Sequence, residues 1–100
     1  MRVIDNTALS RFELEEDGLV AFANYRRSAG YVTIPHVEAA PALRGKGTAG
    51  RLMNGVVEIA RAHGFKISPT CTYAVLWFRR HKDSADVLRP DLGIDAHLAL

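Results

Sequence analysis

The hydrophobic pattern of this chain changes its period inside one glycine-rich, basic stretch, PALRGKGTAGRL at residues 41–52. Before it, from Ser10 to Ala39, the runs SRFELE, LVAFANYRR and YVTIPHVEA are separated by EDG and SAG. That is the spacing of an antiparallel β-meander. Asp17-Gly18 suits a tight hairpin turn, because glycine accepts the positive φ that such turns demand. In the middle run Leu19, Ala21, Ala23 and Tyr25 alternate with Val20, Phe22 and Asn24. Both faces are thus largely apolar, and the run reads as a central strand covered on both sides.

After the stretch the period becomes helical. Ala49, Leu52, Met53, Val56, Val57, Ile59 and Ala60 fall on one arc of a helical wheel, with Arg51, Asn54, Glu58 and Arg61 opposite, which predicts an amphipathic helix over Thr48–His63. Gly64 is placed to end it as a left-handed cap. FKISPT then reads as a short strand. Pro69 within it cannot donate to a ladder, so pairing is expected to break there. CTYAVLWFRRH reads as a second helix with Thr70 or Thr72 as its N-cap. SADVLRPDLGIDAHLAL reads as a weakly patterned tail with turns at Pro90 and Gly93, and residues 91–100 as its flexible end. The order is meander, helix, strand, helix: an α/β (α+β) chain with a mostly antiparallel, mixed sheet.

At 100 residues the chain is expected to form a single domain over 1–100. It contains no apolar run long enough to span a membrane and no signal-peptide core, so the expected compartment is cytoplasmic. The single cysteine, Cys71, excludes an internal disulfide and a multi-cysteine metal site, and no metal is expected. The net charge is only +2, with the basic residues scattered among eleven acids. Nucleic acid is therefore not expected as a partner.

A strand that enters a helix through a glycine-rich turn presents unpaired backbone N–H groups and the positive end of the helix dipole at one point. That suits a phosphate or pyrophosphate. Gly45, Gly47 and Gly50 let an anion approach the backbone, and Arg44, Lys46 and Arg51 supply charge. By itself such a turn is weak support, since a solvated basic turn looks the same. The loop is not read as a dinucleotide fingerprint, nor as a P-loop, because Lys46 precedes the helix instead of following a second glycine with Ser or Thr.

Arg44-Gly45-Lys46-Gly47-Thr48-Ala49 resembles the R/Q-x-x-G-x-G/A signature of the GNAT acetyltransferase superfamily. The segment from His36 to His81 is similar to the small single-domain members, with H-x-E at His36–Glu38, P-x-C at Pro69–Cys71 and R-R-H at Arg79–His81. The resemblance extends over roughly residues 3–90. It implies that Arg44, Gly45, Lys46, Gly47, Thr48, Ala49 and Gly50 hold the pyrophosphate of acetyl-CoA. It also implies that the fourth and fifth strands splay, leaving backbone at Val37 and Ala39 to pair with the pantetheine arm. The implied activity is acetyl transfer to a primary amine of an unidentified acceptor, by a monomer or weak homodimer. The alternative is a module that binds CoA or acetyl-CoA with little or no transfer. The chain departs from the larger enzymes in two ways. EDG replaces the two helices that help hold the acceptor, and Trp77 and Phe78 stand where a proton-donating tyrosine is common.

Such transfer needs a group to take the amine proton and one to protonate the leaving thiolate. His36 and Glu38, two apart on a strand, share a face, and either can accept the amine proton; a bulge would separate them. Cys71, between a strand and a helix start, is a candidate acyl-accepting nucleophile or a small buried hydrophobe. Tyr73 is a possible late proton donor or a rim aromatic. His81 is read as a cation at a helix end, and Trp77 and Phe78 as core.

Overall fold

The computed structural model describes residues 2–90; the end of the tail, with its expected turn at Gly93, lies outside them. Five strands form one sheet in sequential order: β1 (Ile4–Asn6), β2 (Arg11–Glu16), β3 (Leu19–Ser28), β4 (Tyr31–Ala39) and β5 (Lys66–Pro69). The first four pair antiparallel, and β5 pairs parallel to β4 through the crossover helix α1 (Thr48–His63). Helix α2 (Thr72–Arg80) and a 3₁₀ segment (Lys82–Val87) follow. This is the expected mixed, mostly antiparallel α+β architecture. The sequence reading missed β1, whose one apolar residue, Ile4, runs at once into Asp5 and Asn6, a turn-like composition. Asp17 and Gly18 both take positive φ, 55° and 75°, as the hairpin requires.

Phe12, Leu14, Ala21, Ala23, Tyr25, Val32 and Ile34 point from one face of the sheet into a core shared with Leu52, Met53, Val56, Val57 and Ala60 of α1 and with Ala74, Trp77 and Phe78 of α2. The helical arc read from the sequence is thus the buried face of α1, and Gly64 ends the helix at φ 78° with its N–H on the Ala60 carbonyl. The opposite sheet face corrects the expectation for β3. Val20, Phe22 and Asn24 are only half-buried, and no second layer covers them among the described residues. Phe22 is instead covered by the Arg11 guanidinium, 4.3 Å from its ring centre.

Two further corrections concern prolines and caps. β5 does pair through Pro69, which lies opposite Ile34. Lys66 and Thr70 donate to β4, at Gly30 and Ile34, whereas Ile67 accepts from Arg89 on the other edge. By that alternation the missing N–H of Pro69 faces away from β4, so no ladder bond is lost. The cap of α2 is Cys71, whose Sγ accepts the Ala74 N–H at 3.3 Å, and not Thr70 or Thr72. Thr70 is occupied with the Ile34 carbonyl. The stretch read as tail begins as structure: Leu88 bridges Ile67, and Arg61 of α1 pairs with Asp86.

Candidate functional site

The site begins at an irregularity in β4. Between the pairs Arg26↔Thr33 and Asn24↔His36 the register slips, so that Ile34 and Pro35 together face Tyr25. Proline has no N–H to give, and a bulge is where a paired strand tolerates it. On the other side of β4, pairing with β5 stops at Ile34, whose carbonyl receives the N–H groups of both Thr70 and Cys71. From Pro35 to Ala39 the strand therefore has one neighbour among the described residues. Ala40 donates to Val20, and the alternation of an antiparallel ladder then turns the N–H and C=O groups of Val37 and Ala39 toward the open edge. The splay expected at Pro69 exists, but its cause is the end of β5 together with the bulge at Pro35.

That open edge runs into the glycine loop. A 3₁₀ turn at Pro41–Leu43 buries Leu43, after which Gly45 and Gly47 take left-handed φ of 78° and 80°. Residues with a Cβ rarely adopt that conformation. Gly47 caps α1 without a side chain, and the first turn of α1 contains no acidic residue. The N–H groups of Thr48, Ala49 and Gly50 are among those that a helix cannot satisfy internally. Ala39, Leu43, Arg44, Gly45, Gly47, Thr48, Ala49, Gly50 and Tyr73 line a cavity of about 280 Å³ at this point. Tyr73, on the first turn of α2, forms its far wall, and burial raises the pKa of its phenol. Larger hollows lie elsewhere, one of about 500 Å³ beside β1 and the end of α1. None of the loop residues lines that one.

The other candidates lie around this cavity rather than on its wall. His36 and Glu38 project from the face of β4 opposite to Val37 and Ala39, half exposed, with Nε2 of His36 2.9 Å from Oε1 of Glu38. The bulge precedes them and leaves them together. Cys71 is partly buried at the mouth of the splay, two residues before Tyr73. Lys46 is exposed. Trp77 and Phe78 are core, and His81 ends α2, its Nδ1–H donating to the Trp77 carbonyl at 2.7 Å with its ring stacked on the indole.

Arg51 departs from the sequence reading, which counted it among the phosphate-directed cations. It makes a two-point contact with Glu16 of β2, Nε to Oε2 at 2.7 Å and Nη2 to Oε1 at 2.8 Å, and Nη2 also donates to the Lys46 carbonyl at 2.9 Å. The Thr48 hydroxyl donates to the same carboxylate at 2.6 Å. Thr48 can thus offer the cavity its backbone while its hydroxyl is committed elsewhere. Glu16 is a residue the sequence reading overlooked, since nothing local marks one acid of the run ELEEDG as the partner of a loop thirty residues on.

The Arg51 guanidinium, and after it the Thr48 hydroxyl, hold the carboxyl of Glu16 down to about 2. A folded-state value below the unfolded one, near 4.3, contributes stability that is complete above the unfolded value and is lost as pH falls toward the folded one. Denaturant midpoints measured from pH 6 down to pH 2.5 should therefore show wild type losing its advantage over Glu16→Gln across the acid range. A constant gap would contradict the contact.

Gly45, Gly47 and Gly50 do have the G-x-G-x-x-G spacing of a dinucleotide fingerprint, so spacing does not separate the two; the surroundings do. Here the strand arrives from an antiparallel meander, a 3₁₀ turn intervenes before the first glycine, and no acidic residue stands between Phe65 and Tyr73, where a ribose-binding carboxylate would be sought. Among the described residues no helix is long and apolar enough to cross a membrane, and no group of three or more His, Cys, Asp or Glu could hold a metal ion.

A search of the curated proteins found no match. A family model described as GCN5-related N-acetyl-transferase matches residues 11–87, from the start of β2 to the end of the 3₁₀ segment, and so takes in the bulge, the open edge, the loop and the cap of α2. With that span matched, the chain belongs to the GCN5-related N-acetyltransferase family.

Proposed function

We propose that this single domain transfers an acetyl group from acetyl-CoA to a primary amine. The observation that carries the reading is the continuity of a strand edge at Val37 and Ala39, left unpaired among the described residues, with a cavity walled by the orphan N–H groups of α1. A CoA thioester combines those two chemistries, an amide-bearing arm and a pyrophosphate. The fit is direct: Gly45, Gly47, Thr48, Ala49 and Gly50 offer backbone donors, Arg44 and Lys46 supply exposed positive charge beside them, and the glycines leave room for phosphate to approach.

In this reading Val37 and Ala39 pair with the amides of the arm and set the thioester beside the open end of β5. His36, oriented by Glu38, takes the proton of the incoming amine, whose nitrogen then attacks the thioester carbonyl. As the tetrahedral adduct collapses and the C–S bond breaks, the Tyr73 phenol gives its proton to the departing thiolate, and the nitrogen, cationic since its attack, passes its second proton through solvent back to the phenolate, leaving a neutral amide. The phenol, its pKa raised by burial, is protonated at neutral pH, the form that can donate.

Direct attack is favoured over a cysteine relay because the Cys71 sulfur is already engaged as the cap of α2. Serine is an equally good or better cap. Cys71→Ser is therefore expected to keep its fold and to transfer within about two-fold of wild type, and acetyl-CoA alone should add no acetyl mass to the chain by intact mass spectrometry. Acetylation of wild type that is absent from Cys71→Ser, with loss of transfer, would establish the relay instead.

A further inference from the structure

Building on the cofactor reading above, we infer that Glu16 and Arg51 are positioning residues that preset the glycine loop for pyrophosphate from the neighbouring hairpin. The argument lies in the peptide joining Lys46 to Gly47. Arg51 Nη2 holds its carbonyl oxygen at 2.9 Å. In a planar trans peptide the C=O and the following N–H point in opposite directions. Fixing the Lys46 oxygen toward Arg51 therefore aims the Gly47 N–H away from it, and Gly47 is a wall of the cavity.

Arg51 can hold that oxygen only because it is itself held. Its guanidinium is planar and grips Glu16 at two points, which fixes its orientation as well as its position. Glu16 also takes the Thr48 hydroxyl, so one carboxylate from β2 fixes both ends of the turn that carries Gly47. It does so from a hairpin that contributes nothing to the cavity wall. The arrangement also neutralises Arg51 next to the loop, leaving Arg44 and Lys46 as the cations beside the anion. The low carboxyl pKa keeps the clamp closed throughout the neutral and mildly acidic range.

The test compares wild type with Glu16→Gln, Arg51→Lys and the double variant. Glutamine keeps an acceptor for Thr48 but loses the charge. Lysine keeps the charge but, as a point cation, cannot span both the carboxylate and the Lys46 oxygen. Each single variant should weaken CoA binding by calorimetry about ten-fold. The double variant should be little worse than either, because the two act as a unit. The KM for acetyl-CoA should rise while kcat stays near wild type, a split that general loss of stability would not produce.

A second readout needs no ligand: in the free protein the Gly47 and Thr48 amide resonances should move in both single variants. Unmoved amides, or unchanged CoA affinity in variants whose melting temperature has fallen, would overturn the clamp and reduce the pair to a surface staple. Wild type that binds no CoA would instead overturn the cofactor reading, and the amide shifts would then decide by themselves whether the loop is held.

Discussion

Gly50→Asp is expected to weaken CoA binding roughly a hundred-fold while leaving the protein at least as stable as wild type. Gly50 lies in the first turn of α1, on the cavity wall, with no positive φ, and the nearest atom to a Cβ built on it is Trp77 Nε1 at 3.8 Å. A side chain therefore enters without strain. A carboxylate near the start of a helix interacts favourably with the helix dipole, by about 0.3–1 kcal/mol, and any non-glycine residue reduces the entropy cost of ordering that position. The same charge would stand within a few ångströms of a bound pyrophosphate. Repulsion between close charges near a protein surface is worth enough to weaken binding roughly a hundred-fold.

Calorimetry and a melting curve read the two effects separately. Lost affinity with an unchanged or raised melting temperature is the expected pair, and wild-type affinity would remove the pyrophosphate from this turn. Gly47→Asp is the more obvious variant and the less informative one. Gly47 has φ 80°, and a Cβ there would meet Arg51 Nη1 at 3.0 Å, so the change would strain the backbone and disturb Arg51 together.

The second large effect concerns the outer face of β4. An alkyl ammonium has no lone pair, so transfer requires its deprotonation, and a positioned base typically contributes a hundred-fold or more. His36→Gln preserves size and polarity but not the ability to accept a proton at neutral pH. With a true acceptor amine, kcat/KM at pH 7 should fall about a hundred-fold and the acid limb of the pH–rate profile should flatten, while CoA affinity stays the same. Glu38→Gln removes the carboxylate 2.9 Å from the ring. It should lower the rate by a smaller factor, and the double variant should be no worse than His36→Gln alone, because a base and the group that orients it act together. If the acid limb disappears in Glu38→Gln and survives in His36→Gln, the carboxylate is the base. If both profiles match wild type, this face of β4 is not on the proton path.

Local signals in the sequence were strong where one element decides its own conformation. The apolar arc of α1, its left-handed stop at Gly64 and the turn at Asp17-Gly18 each depend on a few adjacent residues, and the structure has them as expected. Signals failed where the decisive partner is distant. Pro69 suggested a broken ladder, yet the direction its missing N–H faces is set by the neighbouring strand, and the splay arises from where β5 ends against Ile34. Arg51 looked like a free cation at a helix start, and only the pairing of β2 with β3 shows that Glu16 reaches it. Phe22 looked like the core of a second face until Arg11, its diagonal neighbour across the strand pair, proved to cover it. The loop itself was legible because glycine at positive φ and a helix start without acids are written directly in its letters. Which of the surrounding side chains line its cavity was not.

The most direct test of the account is an amide chemical-shift map of the isotope-labelled protein titrated with CoA. The prediction is saturable binding, with the largest shifts at Gly45, Gly47, Thr48, Ala49 and Gly50 of the loop and at Val37 and Ala39 of the open edge. Residues around the larger hollow, such as Ile4, Ile59 and Phe65, should stay in place. Saturable shifts centred on that hollow, or no saturable shift at the loop, would contradict it.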